Sequence, residues 1–158
     1  MSTVPNLNGQ VIGRAHYATR ALLERAVAPL GVDFPQVAAL NVLADGAVDR
    51  ARLVRGMTST LKIDDSAAHA VLARLVAADL ATASDAGNQV AGPVAAGERP
   101  QVRLTEAGRA VQGRIRDAVA TLTARLYADI PADEMGTAAR VLNLVTQRAD
   151  AELASTPA

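Results

Sequence analysis

The chain has 158 residues and a mass of 16.3 kDa, the size of one ordinary domain. Half of it is hydrophobic but only 2% is aromatic, so the core must be aliphatic, and 35 alanines set a mainly helical expectation. Sixteen basic and sixteen acidic residues cancel and there is no cysteine, which excludes a globally basic nucleic-acid binder, disulfides, thiolate zinc sites and iron–sulfur clusters, while leaving room for a local basic patch.

From Leu7 to Leu30 the apolar residues recur at threes and fours, which predicts an amphipathic helix of about six turns, stopped by Pro29 and Gly31. A second helix is expected from Pro35, a good first-turn residue, to Gly46. A third begins after Asp49, a suitable N-cap, with Leu53, Val54 and Met57 on its buried face. A fourth begins at Asp64-Asp65-Ser66, where acids and a capping Ser suit a helix start. Its apolar stripe is Ala68, Val71, Leu72, Leu75 and Val76, extending to Ala78. Residues 80–104 then read as a long β-hairpin. Leu80–Ser84 and Gln101–Leu104 supply the arms, and Gly87, Gly92, Pro93, Gly97 and Pro100 mark a flexible tip. Thr105-Glu106 opens a fifth helix carrying Val111, Ile115, Val119, Leu122 and Leu126, broken by Pro131. A last helix covers roughly Asp133 to Leu153.

Three helices followed by a hairpin make a winged helix-turn-helix. The expected fold is therefore mainly α with a small β-hairpin wing. The long first helix and the last two carry more apolar surface than a small central module can cover, and a second copy of the chain is the economical cover.

In this arrangement the sequence resembles the MarR family of bacterial transcription regulators. Three stretches carry the resemblance: Ala28–Leu40 with Leu43-Ala44-Asp45-Gly46, then Val71–Leu80, and most specifically Arg103-Leu104-Thr105-Glu106-Ala107-Gly108-Arg109-Ala110-Val111. It covers about residues 7–150 and implies a single MarR-like domain over 1–158. Residues 7–30 and 105–153 would be dimerisation helices, and residues 35–104 the winged helix-turn-helix. It further implies a cytoplasmic DNA-binding repressor, homodimeric on a pseudo-palindromic operator. Two departures stand out. The wing reads Asp85-Ala86-Gly87-Asn88-Gln89-Val90 where the family carries an arginine-rich run, and Thr58-Ser59-Thr60-Leu61 reads as a lengthened turn between the third and fourth helices.

In a helix-turn-helix the start of the second helix enters the major groove. That assigns Ser66, Ala67, His69 and Ala70 to base edges, with Ser66 and His69 as hydrogen-bonding groups and alanine against thymine methyls. Thr58, Ser59, Thr60 and Lys62 would hold phosphates from the turn. Arg74 would reach the backbone and Arg99 would make the wing contact. Other readings stay open: Ser66 as a helix cap, and His69 in an ion pair with Asp65. Residues 46–110 carry eight basic and seven acidic side chains, a surplus of one, and Asp64 and Asp65 would repel phosphate unless turned inward. This leaves an alternative, a MarR-like dimeric ligand- or protein-binding module with weak or lost DNA binding.

The resemblance also implies a small anionic or phenolic effector in a cleft lined by Arg14, His16, Tyr17 and Phe34. The absence of cysteine sets the chain apart from the family's peroxide-sensing branch. No apolar run approaches the roughly 18 residues that a membrane span needs, and Met1–Gln10 has no signal-peptide character, so no membrane partner is expected. No catalytic grouping, metal-ligand spacing or phosphate-binding glycine loop is present, so neither enzymatic activity nor a cofactor is expected.

Overall fold

Asn8 starts the first helix by accepting hydrogen bonds from the backbone N–H groups of Gln10 and Val11, both at 3.0 Å. The computed structural model describes residues 6–84 and 99–155. The order is α1 (Gly9–Val27), a 3-10 turn (Ala28–Leu30), α2 (Phe34–Leu43), β1 (Val48–Asp49), α3 (Arg50–Leu61), α4 (Asp65–Ala77), β2 (Ala81–Ala83), β3 (Gln101–Leu104), α5 (Glu106–Leu126) and α6 (Ala132–Ser155). The expected helices are all there. The first ends a turn early, because Pro29 favours the tighter turn and Gly31 closes it at φ 72°. No single described helix is long and apolar enough to cross a membrane.

The chain divides into two units, residues 1–122 and 123–158. In the first, α2, α3 and α4 pack around an aliphatic core in which Leu40, Leu43, Leu53, Leu75 and Ile115 are wholly enclosed. Each such side chain contributes roughly 1.5–3 kcal/mol. Asp33 and Gln36 form a reciprocal capping box at the head of α2, which explains why Gln36 is the one buried polar residue among those described.

The strands make a three-stranded antiparallel sheet in the order β1-β3-β2. Val48 pairs with Val102, Ala81 with Leu104 and Ala83 with Val102. The hairpin arms are thus present, while the expected flexible tip lies in residues 85–98, outside the described residues. β1 was absent from the sequence expectation, since two residues carry no periodic signal. Val76 and Ala78 are exposed and leave the expected stripe of α4 at Leu75.

In the second unit, Asp129 takes a left-handed turn (φ 63°) before Pro131. No residue of α6 is buried, and Val141, Leu142, Leu144, Val145 and Leu153 are all exposed.

Candidate nucleic-acid interface

α3 and α4 are joined by three residues, 62–64. The turn is tight because Lys62 adopts a left-handed conformation (φ 55°) and half-buried Ile63 packs on the core. The lengthened turn expected at Thr58–Leu61 is therefore corrected. These residues form the last turn of α3, held in the helix by the anchoring of buried Met57 and of Leu61 against the core. Thr58 donates its hydroxyl to the Arg55 carbonyl at 3.0 Å. Ser59, Thr60 and Lys62 are exposed beside it.

α4 is capped by Asp64, whose Oδ1 accepts from the Ala67 N–H at 2.7 Å. Ser66 is not the cap. Its hydroxyl stays on the exposed side with His69 and Ala70, while Ala67 is half-buried. Opposite them Ala68, Val71, Leu72 and Leu75 lock the helix to the core. The face available to a groove is therefore short and small, with two polar side chains, Ser66 and His69, set between alanines. Among the described residues His69 and Asp65 form no ion pair, and no group of His, Asp and Glu is arranged to hold a metal.

Arg74, expected to reach the DNA backbone, lies on the exposed side of α4 with an acidic partner. Its Nη1 lies 2.6 Å from Asp33 Oδ2, so the guanidinium ties the last turn of α4 to the head of α2. Asp33 uses its other oxygen as the α2 cap. Both side chains are about half exposed, and a pair of that kind contributes about 0–1 kcal/mol. Further exposed basic side chains around α4 and the sheet are Arg99, Arg103 and Lys62, with Arg52 and Arg55 on α3.

The expected effector residues are placed apart in character. Arg14, His16 and Tyr17 are exposed on α1, with the two rings edge to face at 5.5 Å. Phe34 is half-buried at the first turn of α2, and the cation over its ring is Arg20, 4.9 Å from the centroid. Arg20 is in turn held by Glu24 at 2.9 Å. No local pattern marks Arg20, because its partner Phe34 is remote along the chain.

No protein-family profile matches the sequence, and no curated protein does. Solved structures do match. A mutant MarR from E. coli complexed with operator DNA is 22% identical, with a TM-score of 0.68 over 87% of this chain and 91% of that one. CouR from Rhodococcus jostii, bound to p-coumaroyl-CoA, is 16% identical, with a TM-score of 0.68 over 87% and 90%. A MarR family protein from Mycobacterium tuberculosis in complex with DNA is 22% identical, with a TM-score of 0.62 over 89% and 98%. The chain has the MarR fold.

The most specific of the three MarR-like stretches has a physical reason in this structure. Thr105 donates its hydroxyl to the Asp79 carbonyl at 2.6 Å and accepts from the Gly108 N–H at 2.9 Å. Its own N–H donates to the Leu80 carbonyl at 3.1 Å. A Cβ on Gly108 would lie 1.8 Å from that same carbonyl oxygen, so only glycine lets the start of α5 close against the turn into β2. Arg109 completes the junction by donating to the Leu104 carbonyl at 3.1 Å. The MarR-like run thus fixes the end of β3 and the start of α5 to the turn that follows α4.

Proposed function

We propose that the chain is a DNA-binding transcriptional regulator of the MarR type, a homodimeric repressor that reads a pseudo-palindromic operator and is modulated by a small ligand. The observation that carries this reading is the helix-turn-helix itself. A tight three-residue turn presents Ser66, His69 and Ala70 on the solvent face of a helix whose other face is anchored in the core. Ser66, Ala67, His69 and Ala70 read base edges, and Thr58, Ser59, Thr60, Lys62, Arg74 and Arg99 hold phosphates. Two structures of the same fold are complexes with DNA, which supports the assignment.

Dimerisation is supported by uncovered apolar surface. α6 buries nothing, and α1 buries only Val27. A second copy that covers these helices would set two reading heads on one side of a duplex. The effector is proposed as a small anionic or phenolic molecule near Arg14, His16, Tyr17 and Phe34. Arg20 joins them as a cation 4.9 Å from the centre of the Phe34 ring. The p-coumaroyl-CoA bound to CouR supports ligand control in this fold.

A second reading, a dimeric binding module with weak or lost DNA binding, is favoured by one observation. The exposed face of α4 is short and alanine-rich, and its arginine is occupied by Asp33. Gel-shift titration with the DNA flanking the chain's own gene separates the two. A discrete complex that survives competitor DNA supports the regulator, and the absence of any shift at low salt overturns it.

A further inference from the structure

The first unit holds an open cavity of about 830 Å3 between the C-terminal turn of α2, the turn into β1, and α3. That volume lies in the range of small-molecule sites. It stays open because small residues line it, namely Gly46, Ala47 and Gly56. Gly56 stands in the interior of α3, where glycine is destabilising relative to alanine. Packing supplies no reason for it: a Cβ there would meet nothing within 4 Å, and its φ is not left-handed.

The walls carry opposed charges. Arg52 and Arg55 lie three apart on α3 and line the cavity together. Asp45 and Asn41 line it from α2 and the turn that follows. Among the described residues neither guanidinium has an ion pair, and neither does Asp45. Val42, Val48 and Leu53 add an apolar surface, with Val42 left 47% exposed.

The geometry points to a binding site in this cavity for a small zwitterion of the α-amino acid class with an apolar side chain. Its carboxylate is held by Arg52 and Arg55, its ammonium by Asp45 and the Asn41 amide oxygen, and its side chain lies on Val42 and Val48. A simple anion would meet the Asp45 carboxylate as a like charge, and a simple amine would leave two guanidiniums unanswered. This site shares no residue with Arg14, His16, Tyr17 and Phe34; Arg52 and Arg55 are also candidate phosphate contacts, and its test uses no DNA.

Calorimetric titration of the full chain with L-phenylalanine, phenethylamine and 3-phenylpropionate tests it. Phenylalanine is expected to bind, and each truncated analogue to bind at least about tenfold more weakly, the effect of losing one charge-assisted interaction. Arg52→Gln weakens phenylalanine by a similar factor. Asp45→Asn does the same and removes the preference for phenylalanine over phenylpropionate. Gly56→Leu, with helicity retained by circular dichroism, abolishes binding. No heat from phenylalanine up to about 10 mM, equal binding of the three compounds, or unchanged affinity in Arg52→Gln and Asp45→Asn overturns the proposal.

Discussion

Replacing Gly108 by alanine adds one methyl group at the tightest backbone approach among the described glycines. The new carbon would sit 1.8 Å from the Leu80 carbonyl oxygen and 2.8 Å from its carbon. Both neighbours are backbone, so a side chain cannot swing aside, and α5 must move off the turn after α4. Overpacking of this kind costs typically 1–3 kcal/mol. The move also lengthens the Thr105 bonds to Leu80 and Asp79, each contributing about 1 kcal/mol. Alanine's better helix propensity returns up to about 1 kcal/mol, which leaves a net loss of about 2–4 kcal/mol. For a chain of this length that is a fall in Tm of roughly 5–15 °C. Gly113→Ala, in the same helix with nothing within 4 Å, is the control. It should be neutral or stabilise by about 0.5–1 kcal/mol. Urea and thermal denaturation followed by circular dichroism at fixed protein concentration measure both. A Gly108→Ala variant as stable as the parent would refute the reasoning, because it would mean the junction is not rigid.

Asp33→Asn keeps a capping oxygen and should leave stability within about 0.5 kcal/mol of the parent, whereas Asp33→Ala also loses the cap and should cost about 1–2 kcal/mol by urea denaturation. Arg99→Ala should weaken DNA binding alike on all sequences and lower the salt slope by about 1, read by fluorescence anisotropy at several salt concentrations. His69→Ala should instead relax choice at one base pair by about 1–3 kcal/mol, read with single-substitution operators. Leu142→Glu with Val145→Glu places two charges on the exposed apolar stretch of α6 and should give monomers by light scattering.

Much of the architecture was legible in the sequence because the helices carry clear apolar periods and end at Pro, Gly or Asp. Leu53, Val54 and Met57 fell on the buried face of α3, and Ala68, Val71, Leu72 and Leu75 on that of α4, as the spacing predicts. What failed was decided by tertiary partners or by competing local options. Thr58-Ser59-Thr60 reads as a turn by propensity, yet the packing of Met57 and Leu61 carries the helix through it. Asp64, Asp65 and Ser66 are all competent caps, and nothing local selects Asp64. The Arg74–Asp33 pair joins residues 41 apart in sequence, so no local spacing signals it. The Arg20–Phe34 contact escaped notice for the same reason. Gly108 could be recognised by resemblance, but its cause, the Leu80 carbonyl, is visible only in three dimensions.

Sedimentation velocity of the chain, alone and mixed with a duplex from beside its own gene, tests the proposed regulator most directly. The free protein should sediment at twice the 16.3 kDa chain mass, and two chains should travel with each duplex at low salt and leave it as salt rises. A monomer at micromolar concentration that never moves with the DNA would contradict both the dimer and its reading heads.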